Sequence, residues 1–254
     1  MTGKKACFLA LFALGIAAVA AIAGVKLYTH VLHPPGRQQP EDSYYRAVYV
    51  LQRLGGPAAF EQEPVPARVP YQDATESLLH HPDIIQVLWR LAADLAAAHR
   101  DRPKAPLFEA YARLALGERE QAAALLTRYV VENEYQARHY ALLCENLYAL
   151  GDFISLLLIS REWAGRDVSC REDQSYYLWA ALHNLGRYAD AVRSVQGQED
   201  CLGWRAGVYA AKSLLEDGHG DQAESLVILT GQRFFDQVLQ IRRLWEQLKA
   251  QDIV

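Results

Sequence analysis

The side chains best able to do chemistry in this chain are eight histidines and four cysteines, and their spacing argues against a catalytic or metal centre. His80 and His81 are adjacent and Asp83 follows, but a zinc site needs a third and fourth ligand at a workable spacing, which this segment lacks. A loop or helix end accounts for the pair more simply. His139, His183 and His219 fall far apart, with no acid or base partner evident beside them, although His183 could line a groove. The nucleophile elbow GxSxG, the zinc motif HExxH, a glycine-rich phosphate loop and the dinucleotide fingerprint are all missing. The sequence therefore predicts a non-enzymatic protein with no catalytic residues, no metal and no cofactor. The enzymatic alternative, a cell-envelope enzyme drawing side chains from Tyr71–His99, is weaker because that segment offers no acid and base pair.

Cysteine usage adds little chemistry. Cys7 falls inside an apolar run, and Cys144, Cys170 and Cys201 are too few to staple a chain of this length and form no CxxC. Trp89, Trp163, Trp179 and Trp245 sit on helical apolar patterns and read as core, whereas Trp204 begins a hairpin and is less tied to a core position.

The elements that must position these residues are helical. The chain has 254 residues, 51% hydrophobic and 22% charged, with Leu and Ala dominating its central stretches and Gly and Pro gathered in the gaps. Its formal net charge is −4; without Lys4, Lys5 and Lys26 the remainder is near −7. A mildly acidic chain without a basic cluster lacks the phosphate-neutralising charge from which nucleic-acid affinity starts, so no nucleic-acid partner is expected.

Ala6 to Val25 carries no charge over 20 residues. As a helix it would be about 30 Å long, the thickness of a bilayer's hydrocarbon core. Lys4 and Lys5 precede it and Lys26 closes it, which places the N-terminus in the cytoplasm and the larger part across the membrane. A cleaved signal peptide is the competing reading, since Ala21-Ile22-Ala23 has the small-x-small form of a cleavage site, but the apolar run is long for one. The expectation is a single-pass anchor over residues 1–32, in a bacterial inner membrane, with the C-terminal domain periplasmic.

A proline-rich linker follows at 33–42, and a helical domain is expected over 43–254. Ser43 is placed to cap a helix from Tyr44 to Leu54, stopped by Gly55-Gly56-Pro57. Pro64, Pro66 and Pro70 mark a loop, Asp73 to His80 could form a short helix, and Pro82 to His99 a strong one.

From Pro106 the chain repeats itself. Gly117, Gly151 and Gly186 open tight turns in LALGEREQA, YALGDFISL and HNLGRYADA, 34 and 35 residues apart, and Gly218 follows 32 residues later in a fainter unit. Leu178, Leu182, Gly186, Tyr188 and Ala191 fill one unit; Tyr140, Leu143, Cys144, Leu147, Gly151 and Phe153 another, with Leu156 where a small crossing residue is usual. Ala110, Gly117 and Ala122 fit the first unit, and Ala210, Ala211, Leu214, Gly218 and Ala223 the fourth.

On these residues the stretch at about 106–231 resembles the tetratricopeptide repeat family. It departs from that pattern in Trp179, at a usually small position, and in the missing unit-ending proline. The resemblance implies an all-α solenoid of αα-hairpins behind the transmembrane helix, closed by a C-terminal capping helix at 234–250. In that cap Phe235, Val238, Leu239, Leu244, Trp245 and Leu248 form the apolar side. It also implies that a protein or peptide partner lies along the first helices of successive hairpins. The exposed steps there select Arg138, Glu145, Asp173, Tyr176, His183, Asn184, Arg205 and Lys212. In the same register Cys170 and Cys201 fall at one edge of the third hairpin, where a disulfide is reasonable. The function expected is a membrane-tethered interaction scaffold or assembly factor outside the cytoplasm, with a permanent subunit of a membrane complex as the alternative.

Overall fold

The computed structural model describes residues 40–55, 72–79, 81, 84–169 and 171–250, and every regular element among them is a helix. The chain divides into two compact units, Met1–Leu116 and Gly117–Val254, and the division falls at the first of the turn glycines.

In the first unit the helices are α1 (Pro40–Arg53), α2 (Gln72–Leu79), α3 (Ile85–Ala97) and α4 (Ala105–Ala115). Helices α1, α3 and α4 pack on one another. Tyr44, Val48 and Leu51 of α1 meet Leu88, Leu91 and Leu95 of α3 and Phe108 and Ala112 of α4 in one apolar cluster. These residues recur at three- and four-residue steps, which puts each set on one stripe of its helix. Ser43 is not the cap of α1, because the helix already begins at Pro40; its hydroxyl instead lies 2.7 Å from His99 Nε2.

Two charged side chains, Arg46 and Glu109, are buried in this unit. Glu109 of α4 is fully buried, and its carboxylate accepts two hydrogen bonds from Arg100, at 2.8 and 2.7 Å, and another from Arg113 Nε at 2.8 Å. A buried carboxylate is tolerable only when its lone pairs are occupied in this way. Burial pushes its pKa upward, but the hydrogen bonds from Arg100 and then Arg113 outweigh that and hold it below the usual glutamate value.

The second unit contains α5 (Arg119–Glu132), α6 (Ala137–Leu150), α7 (Phe153–Arg166), α8 (Glu172–Asn184), α9 (Tyr188–Val195), the four-residue α10 (Glu199–Leu202), α11 (Trp204–Glu216), α12 (Gly220–Arg233) and α13 (Val238–Ala250). Each helix packs mainly on its neighbours in sequence, except that α9 packs on α11 past the short α10; α6 also meets α8, α8 meets α10, and α11 meets α13. Helices α6, α8 and α11 are thus the first members of successive pairs, and α7, α9 and α12 the second. Ala122, Leu156, Ala191 and Ala223 are all fully buried.

The turns between paired helices rest on glycine. Gly151 has φ +71°, and beyond it the Asp152 amide donates to Leu147 O at 3.1 Å, which satisfies a carbonyl the ending helix α6 leaves open. Gly186 repeats the arrangement with φ +69° and an Arg187 amide donating to Leu182 O at 2.9 Å. After the first turn, Asp152 restarts the chain as a helix cap, accepting from the Ser155 amide at 3.1 Å.

The last helix differs from the cap the sequence predicts. Ile241 and Trp245 are buried and Leu244 and Leu248 partly so, but Phe235, Val238 and Leu239 point away from the core. Phe235 falls in the 3₁₀ turn Phe235–Gln237 ahead of α13, and within α13 the 241, 244, 245 and 248 stripe packs into the core while Leu239 lies about half a turn round from Ile241.

The anchor expected over residues 6–25 lies outside the described residues, as do most of the 33–42 linker, Cys170, His80 and Asp83. Among the described residues no helix is long and apolar enough to cross a membrane. The longest run to 14 residues, about 21 Å against the roughly 30 Å needed. The single-pass topology, the periplasmic placement and the membrane-bound readings of function, scaffold, subunit and envelope enzyme alike, are therefore set aside.

Candidate protein-binding face

The first helices of the paired units bring a row of aromatic rings together. Tyr148 of α6 lies 6.1 Å from Tyr176 and 6.3 Å from Tyr177 of α8, centroid to centroid, and those two rings meet edge to face at 5.3 Å. Tyr176 continues the row to Tyr209 of α11 at 5.5 Å. Trp179 stacks on Tyr209 at 4.4 Å and on His183 at 5.1 Å. Such contacts stabilise beyond the area they bury and fix ring orientation.

Hydrogen bonds lock the inner end of this row. Trp179 is buried, and its Nε1 donates to Ser213 Oγ at 3.0 Å, while His183 Nδ1 lies 3.1 Å from the same oxygen. The bulk of Trp179, out of place for the expected register, is accommodated because α11 offers a serine there instead of a larger side chain.

The outer end is polar. Tyr148 is 39% exposed, Tyr176 and Tyr177 are half-buried, and Glu145 and Asp173 are exposed. Tyr177 is pushed up to about 12 by burial and then by the Glu145 and Asp173 carboxylates. Tyr176 is raised too, by burial and then by its hydrogen bond with Tyr148, and Tyr209 by burial. All three phenols stay protonated at neutral pH, so they offer ring faces and hydroxyl donors and no tyrosinate base or nucleophile.

The structure gathers some of the expected residues and separates others. Glu145, Asp173 and Tyr176 converge at the junction of α6 and α8, and His183 joins them through Trp179. Arg205 forms an ion pair with Glu172 and lies 5.3 Å from the Trp204 ring, so its charge is already engaged. Lys212 is only 3% exposed and its Nζ pairs with Glu216 at 2.7 Å, which removes it from any open surface. Arg138 sits near the start of α6 with its guanidinium on Gln136 Oε1, and Asn184 donates to Ala180 O at 2.8 Å. The sequence reading does not select Tyr148, Tyr177 or Tyr209; Tyr209 follows Tyr176 at 33 residues, near the repeat interval, whereas Tyr148 precedes it by 28 and carries no such signal. Cys201 is disulfide-bonded, Cys144 is free and buried, and Cys170, the expected partner of Cys201, is not among the described residues.

No cluster of three His, Cys, Asp or Glu side chains able to hold a metal occurs among the described residues. No family model matches the chain, and comparison with curated protein sequences finds no match. The resemblance to the tetratricopeptide family is corrected accordingly. The glycine and alanine spacing belongs to any stack of short helical pairs with tight turns, and what stands is an all-α chain with repeated helix-on-helix packing.

Proposed function

We propose that the chain is a protein-binding helical module without enzymatic activity, whose partner lies across the aromatic face of α6, α8 and α11. The observation that carries this reading is the row of rings from Tyr148 through Tyr176 and Tyr177 to Trp179 and Tyr209, held in fixed orientation and partly open to solvent. Tyrosine and tryptophan supply much contact area for little conformational entropy, which is why they dominate binding surfaces. Glu145 and Asp173 at its edge add acceptors that orient a donor-bearing peptide. The protonated phenols, with no nucleophile–base pair among them, support binding over reaction.

A Tyr148→Ala/Tyr177→Ala double variant is expected to keep its helicity and to lose at least about tenfold in partner capture, since both rings contribute more to the surface than to the core. Capture is to be read by photo-crosslinking from position 145 in cells, followed by affinity measurement with the recovered partner. Undiminished affinity in the folded variant would remove this face as the binding site.

A further inference from the structure

Helices α12 and α13 of the second unit, and the turn between them, expose large apolar side chains. Ile228 is 60% exposed, Leu229 59%, Phe235 79%, Val238 38% and Leu239 78%. Val227, Ile228, Phe235, Val238 and Trp245 line a groove of about 480 Å³ between α12 and α13.

We propose that this face is closed by the same face of a second copy of the chain, in a two-fold dimer. Three features of the patch select that occupant. It carries both a protrusion, Phe235, and the hollow that this ring lines, which is the self-complementarity a two-fold interface requires. Its rim bears both signs, Glu224 and Glu246 against Arg242, with Lys249 bridging Glu246 at 3.1 Å and Glu224 at 3.7 Å, so it presents no single-sign field to repel a second copy. The five exposed side chains offer on the order of 600 Å² of surface, most of the ~800 Å² per partner of a standard interface. The dimer is independent of the aromatic face, which lies on other helices.

The test is sedimentation equilibrium of the full chain at several concentrations, for the wild type and for Leu239→Glu and Phe235→Ser. Both substituted side chains are nearly four-fifths exposed, so circular dichroism should show unchanged helicity. The expected result is a wild-type dimer whose dissociation constant rises at least tenfold in either variant. In the wild type, amide exchange at residues 228–239 should slow as concentration rises. A wild type that stays monomeric across the micromolar range overturns the proposal and leaves the groove to a helix of another protein. Association that persists at full strength in both variants overturns it equally, and places self-association elsewhere in the chain.

Discussion

Replacing Glu109 by glutamine is expected to lower the stability of the first unit by about 3–5 kcal/mol, the range for removing one partner from a buried ionic cluster. The isosteric change keeps the volume and deletes the charge. Arg100, whose side chain is 54% exposed, can turn to water, but Arg113 is only 17% exposed and loses a charged partner in a place water hardly reaches. The pH dependence has a definite sign. The folded carboxyl is held below its unfolded value of roughly 4.3, so its contribution is complete above that pH and fades as pH falls through the folded value. The variant should therefore be less stable at neutral pH and show a shallower decline between about pH 5 and pH 3. Urea unfolding across that range measures both. A loss below about 1 kcal/mol, or an unchanged acid slope, would show that the cluster is not what holds α4 in place.

Gly207→Ala is expected to destabilise the second unit, against the usual gain from replacing a helical glycine. A Cβ on Gly207 would fall 2.0 Å from Thr230 Oγ1, 2.8 Å from Cγ2 and 2.9 Å from Cβ, so α11 and α12 would have to move apart. Relief of helix propensity favours alanine by up to about 1 kcal/mol, whereas overpacking costs about 1–3 kcal/mol or more. A contact this short lies at the upper end, which leaves a net loss of about 2 kcal/mol. Thr230→Ala removes two of the three clashing atoms, so the double variant should recover most of the loss. A single variant as stable as wild type would show that the two helices do not approach so closely.

The contrast between these residues shows what a sequence makes legible. The turn glycines at 117, 151, 186 and 218 can be found from spacing alone, because a left-handed turn demands glycine and the repeat fixes its interval; all four have positive φ. The burial of Trp163, Trp179 and Trp245 was likewise readable from helical periodicity. Glu109 was not, because a charged residue on a helix reads as solvated unless its cationic partners can be placed, and Arg100 reaches it from the connection before α4. Lys212 was assigned to an open surface by the same default, and only its pairing with Glu216 and the packing around it show otherwise. The aromatic face was half legible: Tyr176 and His183 were selected, but Tyr148, Tyr177 and Tyr209 act through contacts between helices that no single-helix pattern contains. The apolar side of the last helix is narrower than its composition suggests, since Phe235 falls in a 3₁₀ turn ahead of the helix and Leu239 lies on the side of it away from Ile241.

Cys144 gives the second unit an internal clock. Its thiol is wholly enclosed between α6 and α7, 3.7 Å from Ser160 Oγ, and burial pushes its pKa up to about 12. Closed, it presents neither a thiolate nor a path for an alkylating reagent, so modification must wait for the two helices to part. The rate at which iodoacetamide marks this position, followed by peptide mass, would then count openings of the α6–α7 pair under native conditions. It should accelerate with mild urea and fall when the aromatic face is occupied, whereas rapid marking of the resting protein would mean that the pair breathes freely.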